Sequence, residues 1–214
     1  IASALYHLTH DFRIKNNTSL TTAVGYSFGD RSTTALDWYN SADPRPDYYR
    51  YLPSYYRATD PGQAAQLEEA MRNDINLRQV NWEKLYLANF ASNESIQNAN
   101  GIAGNTVTGR RSHYIIEERV INTKRLNFNT VLNTRVGDHL DLTFGASYQQ
   151  QNNNYFKKVN DLLGGEFYVD LNQFAERDYP LNTNANQNDL NCPNRILAVG
   201  EQTSVDSSCR RNNR

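Results

Sequence analysis

The chain has 214 residues, 38% hydrophobic side chains, a mean hydropathy of -0.76 and a formal net charge of -1 at pH 7. No apolar run approaches the ~20 residues that a membrane-spanning helix needs, so a helical membrane protein is excluded. The near-zero charge gives no electrostatic basis for binding nucleic acid, and we expect no nucleic-acid partner.

Residues of about 4–14 and 19–36 alternate apolar side chains with polar or small ones, which predicts two β-strands, because successive side chains of a strand point to opposite faces. One face of the second strand carries Leu20, Thr22, Val24, Tyr26 and Phe28. Nine residues tilted by roughly 40° rise on the order of 23 Å, close to the ~25 Å apolar band of an outer-membrane barrel. The turn at Asn16-Asn17 predicts a tight hairpin, since Asn tolerates a positive φ.

A second hairpin is predicted from residues of about 113–134 and 139–154. One face of its first strand carries Leu126, Phe128, Thr130 and Leu132. The opposite face is mainly arginine and asparagine, and the turn at Gly137-Asp138 again suits a positive φ. This alternation is typical of strands with lipid on one face and water on the other.

Long segments follow the open end of each hairpin, at about 37–112 and 151–214. Short turns on one side and long loops on the other are the layout of a bacterial outer-membrane barrel. The predicted fold class is therefore all-β, part of a large antiparallel transmembrane β-barrel whose extracellular loops contain short helices. Four strands cannot close a barrel, and open edges are costly in hydrocarbon, so we expect an internal fragment of one longer barrel domain.

Four parts of the chain have a distinctive sequence. They are Asp37-Trp38-Tyr39-Asn40 with residues 43–56, Asn81-Trp82-Glu83-Lys84-Leu85-Tyr86, residues 111–119 and residues 188–195. These segments resemble TonB-dependent outer-membrane receptors of the Bacteroidota. The resemblance implies a barrel of about 22 strands with a plugged lumen. It implies a surface receptor without enzymatic activity or cofactor, which binds a nutrient and imports it with energy from the inner membrane.

The same resemblance implies a location in the bacterial outer membrane and a set of partners. These are outer-membrane lipid, the rest of the barrel and its plug, and the TonB energy-transducing complex, which would act through segments other than these. A surface lipoprotein is a further candidate partner.

A tyrosine-rich segment opens the first long loop, and Pro44, Pro46 and Pro53 make it stiff and unsuited to a helix or a regular sheet. Its candidate ligand- or partner-binding residues are Trp38, Tyr39, Tyr48, Tyr49, Tyr51, Tyr55 and Tyr56. Such rings bind a sugar, a peptide or a partner protein with little loss of entropy. The competing interpretation is that the tyrosines pack against the prolines and hold the loop in place.

Two helices and a loop are predicted next. Asp60 is a candidate N-cap before Pro61, which predicts a helix to about Met71. A second helix is predicted at about 81–91, where an apolar stripe indicates packing against the rest of the loop. Residues 92–109 are rich in Asn, Ser, Gly and Thr and predict a mobile loop.

The sequence gives little indication of reactive or metal-binding side chains. Cys192 and Cys209 can form a disulfide in an oxidising extracellular environment, although spacing alone does not fix pairing, and two free thiols are the alternative. No residue pattern indicates a catalytic or metal site, and no cofactor is expected.

Two other functions remain open. The first is a structural or adhesive outer-membrane barrel whose tyrosine-rich loop binds a partner protein. The second is a soluble carbohydrate-binding β module that uses the tyrosine- and proline-rich segment as its platform.

Overall fold

Four long strands in two hairpins dominate the structure, a computed structural model that describes residues 2–203. The strands of these residues are β1 (Ala2–Lys15), β2 (Thr18–Trp38), β3 (Glu94–Gln97), β4 (Thr106–Gly109), β5 (Tyr114–Val136), β6 (Leu140–Asp161), β7 (Tyr168–Val169), β8 (Ile196–Leu197) and β9 (Gln202–Thr203). The helices are α1 (Pro53–Tyr56), α2 (Pro61–Asn73), α3 (Trp82–Ala91) and α4 (Gln173–Asp178), with 3-10 turns at Tyr49–Tyr51, Ile75–Arg78 and Ala99–Gly101.

The main sheet has the strand order β1-β2-β5-β6-β9. Two small sheets, β3-β4 and β7-β8, are formed by the long connections. Strand β1 pairs antiparallel with β2 along almost the whole length of β1, from Ala2 opposite Asp30 to Lys15 opposite Thr18. The structure is mostly antiparallel β, which confirms that part of the predicted fold class.

Tight turns close both hairpins, but by different means. Gly137 has a φ of +62°, the left-handed conformation that the sequence predicts for the second turn. The same expectation is wrong for Asn16 and Asn17, neither of which has a positive φ. Instead, Asn17 Nδ2 donates a hydrogen bond of 2.7 Å to the main-chain oxygen of Arg135. Asparagine therefore stabilises this turn by bonding to a neighbouring strand.

Strand β6 extends beyond the end that its sequence predicts. The pattern indicates a strand to about residue 154 and assigns residues from 151 onward to an outer loop, whereas the strand continues to Asp161. Near this end the Val159 amide donates to the oxygen of Glu201 at 3.0 Å, and the Gly200 amide donates to the oxygen of Val159 at 2.7 Å. Main-chain bonds of this kind need no alternation of side chains. The polar run Asn152-Asn153-Asn154 has no such alternation, so the sequence pattern does not predict the continuation of the strand.

The chain divides into two compact units. The first unit comprises the residues up to Thr33 together with Glu118–Lys157, and the second comprises Thr34–Glu117 together with the residues from Lys158 onward. The first unit is built from the parts of the long strands next to the two tight turns. The second contains all four helices of the described residues and both small sheets.

Two hydrophobic clusters stabilise the second unit. Buried members of the first are Tyr39, Ile115, Val159, Leu162, Tyr168 and Leu197. In the second, Leu85 of α3 packs with Tyr114 and Leu163, and partly buried side chains such as Leu36 and Trp38 pack against them. Helix α3 is therefore held by its contacts with the ends of β2 and β5 that belong to this unit.

Two predictions for the first long connection are wrong. The tyrosine-rich segment is not free of helix, because it contains a 3-10 turn and helix α1, which begins at Pro53. Proline suits the first position of a helix, where its missing N–H has no partner to lose. Residues 92–109 are predicted to be a mobile loop, whereas Glu94–Gln97 pairs with Thr106–Gly109 in an antiparallel hairpin.

The helices of this connection follow their local sequence signals in part. Asp60 caps α2 by accepting a hydrogen bond of 2.9 Å from the Gln63 amide, as predicted. In α3 only Leu85 and Asn89 are buried. Trp82, at 46% exposed, and Phe90, at 59%, are not packed as their stripe indicates.

Candidate functional site

Even-numbered side chains of the first unit share one face of the sheet. From Ala2 to Phe12, strand β1 pairs its even residues with even residues of β2, for example Tyr6 with Tyr26. The hydroxyl oxygens of Thr22 and Thr130 lie 3.1 Å apart, so even residues of β2 are neighbours of even residues of β5.

Odd-numbered side chains of β5 and β6 meet on the opposite face. Thr143 Oγ1 donates to Asn133 Oδ1 at 2.8 Å, and Arg135 donates to both carboxylate oxygens of Asp141, at 2.7 and 2.9 Å. The even residues of β5 and β6 therefore also adjoin one another. We call the surface formed by the even-numbered residues of these four strands the even face.

The even face consists of rows that cross all four strands. By the register above, two apolar rows are Phe12, Leu20, Leu132 and Phe144, and Leu8, Val24, Phe128 and Tyr148. Between them lies a row of His10, Thr22, Thr130 and Ala146. Leu8 is 71% exposed and Phe144 is 59% exposed. Large apolar side chains thus cover this surface without packing into a core.

Aromatic rings gather towards one end of the even face. The ring centroids of Tyr6 and Phe28 are 6.2 Å apart, and those of Tyr26 and Phe28 are 5.8 Å apart. Soluble monomeric proteins rarely expose contiguous apolar patches larger than a few hundred Å². A surface of this kind indicates contact with lipid or with another apolar surface.

The opposite, odd face of the first unit is predominantly polar, and several of its side chains donate hydrogen bonds to one another. Thr21 Oγ1 donates to Asp11 Oδ1 at 2.7 Å, and Arg125 Nε donates to Gln151 Oε1 at 3.0 Å. Exposed Leu5 is an exception to this pattern. The two faces therefore differ chemically in the way that the alternation of the sequence predicts.

Asn89 is the central polar residue of the second unit. It is fully buried, and its side-chain amide makes five hydrogen bonds. Nδ2 donates to the main-chain oxygens of Tyr114, Leu162 and Leu163 at 2.8 to 3.1 Å. Oδ1 accepts from the amides of His113 and Tyr114 at 2.8 and 3.1 Å. One side chain of α3 thereby joins the start of β5 to the segment after β6.

The segment that Asn89 binds has an unusual backbone. Leu163 is 1% exposed and has a φ of +47°, a left-handed conformation that costs a leucine on the order of 1–2 kcal/mol. The Leu163 amide donates to Asp161 Oδ1 at 2.8 Å, and its oxygen accepts from Asn89. Burial and these bonds together offset the conformational cost.

An ion-pair cluster holds the β3-β4 hairpin. Arg111 Nη1 lies 2.9 Å from Glu94 Oε2, and His113 Nε2 lies 2.8 Å from Glu94 Oε1. His113 Nδ1 is 3.1 Å from the main-chain oxygen of Tyr39. A neutral imidazole can donate to only one of these two oxygens, whereas a protonated ring donates to both.

Burial raises the pKa of the Glu94 carboxyl, but the hydrogen bonds and charges of Arg111 and His113 lower it by more. The result is a pKa below the ordinary value of 4.5. Burial and a hydrogen bond donated to Glu176 raise the pKa of the Tyr39 phenol above 10.0. At neutral pH, Glu94 is therefore a carboxylate and Tyr39 a neutral donor.

An open cleft of about 860 Å³ lies between the tyrosine-rich segment and helix α4. Its aromatic walls are Trp38, Tyr48, Tyr51 and Phe174. The volume is in the range of about 300–1,000 Å³ that is typical of ligand pockets. The cleft is the candidate binding site of the second unit.

The seven candidate binding residues have different places. Trp38, Tyr48 and Tyr51 line the cleft. Tyr39 is buried, with the Arg111 guanidinium 4.2 Å from its ring centroid. The remaining three, Tyr49, Tyr55 and Tyr56, lie outside the cleft lining and form edge-to-face ring contacts with one another or with Tyr48. The structure thus places part of the set at a cavity and part in tyrosine–tyrosine packing.

The predicted disulfide partners are Cys192 and Cys209. Cys192 is 2% exposed, and Cys209 lies outside the described residues, so the disulfide stays a prediction.

Sequence reasoning missed the residues that organise the second unit. The sequence gives one indication of the role of Asn89, because its amide lies within the apolar stripe of a predicted helix. The sequence gives no indication of the cluster of Glu94, Arg111 and His113, because the pairing of β3 with β4 brings together positions that are distant along the chain. The contribution of α4 to the cleft was equally hidden.

Residues 2–203 contain no helix that is both long and apolar enough to cross a membrane. The same residues contain no group of three or more His, Cys, Asp or Glu side chains that could hold a metal ion. No family model matches the chain, and no curated protein sequence matches it.

Replacing Asn89 by leucine tests its role in joining α3 to the strands. One unpaired buried polar group costs about 1–3 kcal/mol. Asn89→Leu removes five hydrogen bonds to main-chain groups, of which the Leu162 oxygen keeps other donors in Ser112 Oγ and the Gly165 amide. We therefore expect the substitution to lower the free energy of unfolding by at least about 3 kcal/mol. Urea unfolding and limited proteolysis measure this loss. The exposed Asn93→Leu is the matched control, and equal effects of the two changes would contradict the assigned role.

Replacing Glu94 by glutamine tests the ion-pair cluster through its pH dependence. Because the folded pKa of Glu94 is lowered, its contribution to stability is complete above the unfolded value of about 4.5 and is lost as the pH falls through the folded pKa. Glu94→Gln is therefore expected to be less stable than the parent at pH 7, and the difference should shrink as the solution is acidified below pH ~4.5.

Thermal unfolding of both proteins from pH 7 to pH 3 measures this effect. Glu69→Gln, which removes an exposed carboxylate of α2, controls for the change in net charge. A stability difference that stays constant over this range would show that the charge of Glu94 does not stabilise the fold.

Proposed function

We propose that this chain is part of an outer-membrane β-barrel that serves as a TonB-dependent nutrient receptor. The observation that carries the proposal is the contrast between the two faces of the first unit. Its even face presents exposed apolar rows across four neighbouring strands, while its odd face carries hydrogen-bonded polar groups. Lipid outside and water inside a barrel is the environment that suits both faces.

The length of the apolar surface supports the same proposal. Along β1 it extends from Ala4 to Phe12, and its paired residues on β2 extend from Leu20 to Phe28. A tilted transmembrane strand needs about 9–11 residues. The strands themselves are longer, at 21 residues for β2 and 23 for β5, which leaves residues of each strand to extend beyond the hydrocarbon.

The edge position of β1 supports further strands in the proposed barrel. In the sheet of the described residues, β1 pairs with β2 alone. In hydrocarbon each unpaired main-chain group costs several kcal/mol, so β1 needs another neighbour. In the proposed receptor this neighbour belongs to the same barrel domain. The plug and the segment that contacts the TonB complex belong to other parts of the protein.

The proposed receptor binds its nutrient without catalysis or a cofactor. The long connections are extracellular, and the cleft between the tyrosine-rich segment and α4 is the proposed ligand site. The resemblance of the sequence to receptors of the Bacteroidota supports import rather than simple adhesion, with a surface lipoprotein as a candidate partner.

A second candidate is a structural or adhesive barrel, and one observation favours it. Trp82, Tyr86 and Phe90 follow one another at intervals of four residues on α3, and all three are more than 40% exposed. An exposed aromatic stripe on a helix suits contact with a protein partner. The even face argues against a soluble carbohydrate-binding module, because water would contact its apolar rows.

Arginine substitutions on the two faces of β1 test the proposed membrane contact. We expect Leu8→Arg, on the even face, to destabilise the barrel by about 2–4 kcal/mol, since charge near the bilayer midplane is costly. Thr9→Arg places the same charge on the odd face of the same strand and should be much milder. Urea unfolding of the protein in phospholipid vesicles, together with its yield in the outer-membrane fraction, measures both changes.

Equal sensitivity at positions 8 and 9 would contradict the assignment of faces. Recovery of the parent protein in the aqueous fraction without detergent would contradict the location in the membrane.

A further inference from the structure

We propose that the cleft beside α4 binds an acidic oligosaccharide, recognised through its carboxylate groups by Arg50 and Arg177. This inference rests on the proposed receptor function, because it assigns a class of ligand to the extracellular site. Four features of the cleft carry it: the type of apolar wall, the rigidity of the rings, the pairing of the main chain and the balance of charge.

The apolar wall of the cleft is aromatic. Apart from Ala42, its apolar lining residues are Trp38, Tyr48, Tyr51 and Phe174, with no leucine, isoleucine, valine or methionine. Aliphatic pockets anchor the side chains of peptides and the chains of lipids, whereas aromatic rings with planar polar groups suit the C–H faces and hydroxyls of a sugar. The wall therefore favours a carbohydrate.

The rings at the mouth of the cleft hold one another in place. The Tyr48 ring makes edge-to-face contacts with Tyr49 and Tyr51, at centroid distances of 4.9 and 5.1 Å. The Arg45 guanidinium lies 5.1 Å from the centroid of the Trp38 ring. Pre-positioned rings bind a ligand with little further loss of conformational entropy.

Two main-chain groups of the cleft wall, the Trp38 oxygen and the Asn40 amide, are already paired. Gln173 of α4 donates from Nε2 to the oxygen of Trp38 at 3.0 Å and accepts from the Asn40 amide at 2.9 Å. A peptide that binds by strand addition needs unpaired main-chain groups along an edge. Because Gln173 occupies these groups, the cleft offers side chains rather than a main-chain edge.

Three of the charged side chains of the cleft, Asp43, Arg45 and Glu176, are bonded within the protein. Arg45 binds both carboxylate oxygens of Asp43, at 2.9 and 2.6 Å. Glu176 accepts the hydroxyl hydrogen bond of Tyr39. These contacts orient the wall and leave its acidic groups engaged.

Arg50 and Arg177 are the cleft arginines whose terminal nitrogens can bind a ligand, and Arg177 is ion-paired with Asp178 through Nε alone. Arg50 Nε donates to the Tyr49 hydroxyl at 2.8 Å, and Arg177 Nε donates to Asp178 Oδ1 at 2.8 Å. Each bond uses Nε, and among residues 2–203 neither guanidinium makes a direct hydrogen bond through its terminal nitrogens. Terminal guanidinium nitrogens form the bidentate pairs that recognise carboxylates. The cleft thus joins a carbohydrate-type wall to two carboxylate-binding groups.

Binding of oligogalacturonate to the intact protein in detergent micelles tests the proposal. The methyl-esterified oligosaccharide is the matched ligand, because it keeps the sugar rings and lacks the charge. We expect the acid form to bind at least about tenfold more tightly than the ester, and this preference should weaken as salt is added. Isothermal titration calorimetry measures both affinities.

Substitution of the two arginines is the second arm. Arg50→Gln together with Arg177→Gln should weaken binding of the acid form by at least about tenfold and leave the ester unchanged. Arg78→Gln, on an exposed 3-10 turn outside the cleft, removes a like charge and should have no effect on either ligand. Limited proteolysis checks that each variant keeps the fold.

Three results would overturn the inference. They are equal affinity for acid and ester, an effect of Arg78→Gln as large as that of the double variant, and tighter binding of a poly-glutamate peptide than of the sugar. If Leu8→Arg still destabilises the protein much more than Thr9→Arg, these results reject the ligand class and leave the receptor proposal standing. Equal sensitivity at those two positions rejects the receptor proposal itself.

Discussion

The alternation of side chains along a strand is the constraint on which the first unit depends. This alternation separates an apolar face from a polar one only because the register places even residues beside even ones in β1, β2, β5 and β6. A slip of one residue between any two strands would bring apolar side chains among the charged ones. The bonds between Thr22 and Thr130, and between Arg135 and Asp141, join like faces and support this register.

The second unit depends on a different interaction. There a buried side chain joins main-chain groups at the start of β5 to main-chain groups in the segment after β6. The Asn89 amide supplies both donors and an acceptor to them from a neighbouring helix. A buried network of this type is stable when every member is satisfied, and the left-handed Leu163 shows the backbone adapting to it.

The binding cleft follows from the second unit rather than from the tyrosine-rich segment by itself. Many of these tyrosines contact one another, as the competing interpretation of the sequence indicates. The polar character of the site comes mainly from arginines and from α4, which lies more than a hundred positions further along the chain. Attention to aromatic residues alone therefore identifies one wall of the cleft and misses its polar side chains.

The sequence by itself determined the antiparallel hairpins, the face on which each of their side chains lies, the left-handed Gly137 and the capped start of α2. Each of these is a local property, governed by a period of two, a turn or a single cap. Only the tertiary structure decided the extent of β6, the pairing of β3 with β4, the burial of Asn89 and the placing of Arg50 and Arg177 at one cleft. These depend on contacts between distant segments, for which a single sequence carries no periodic signal.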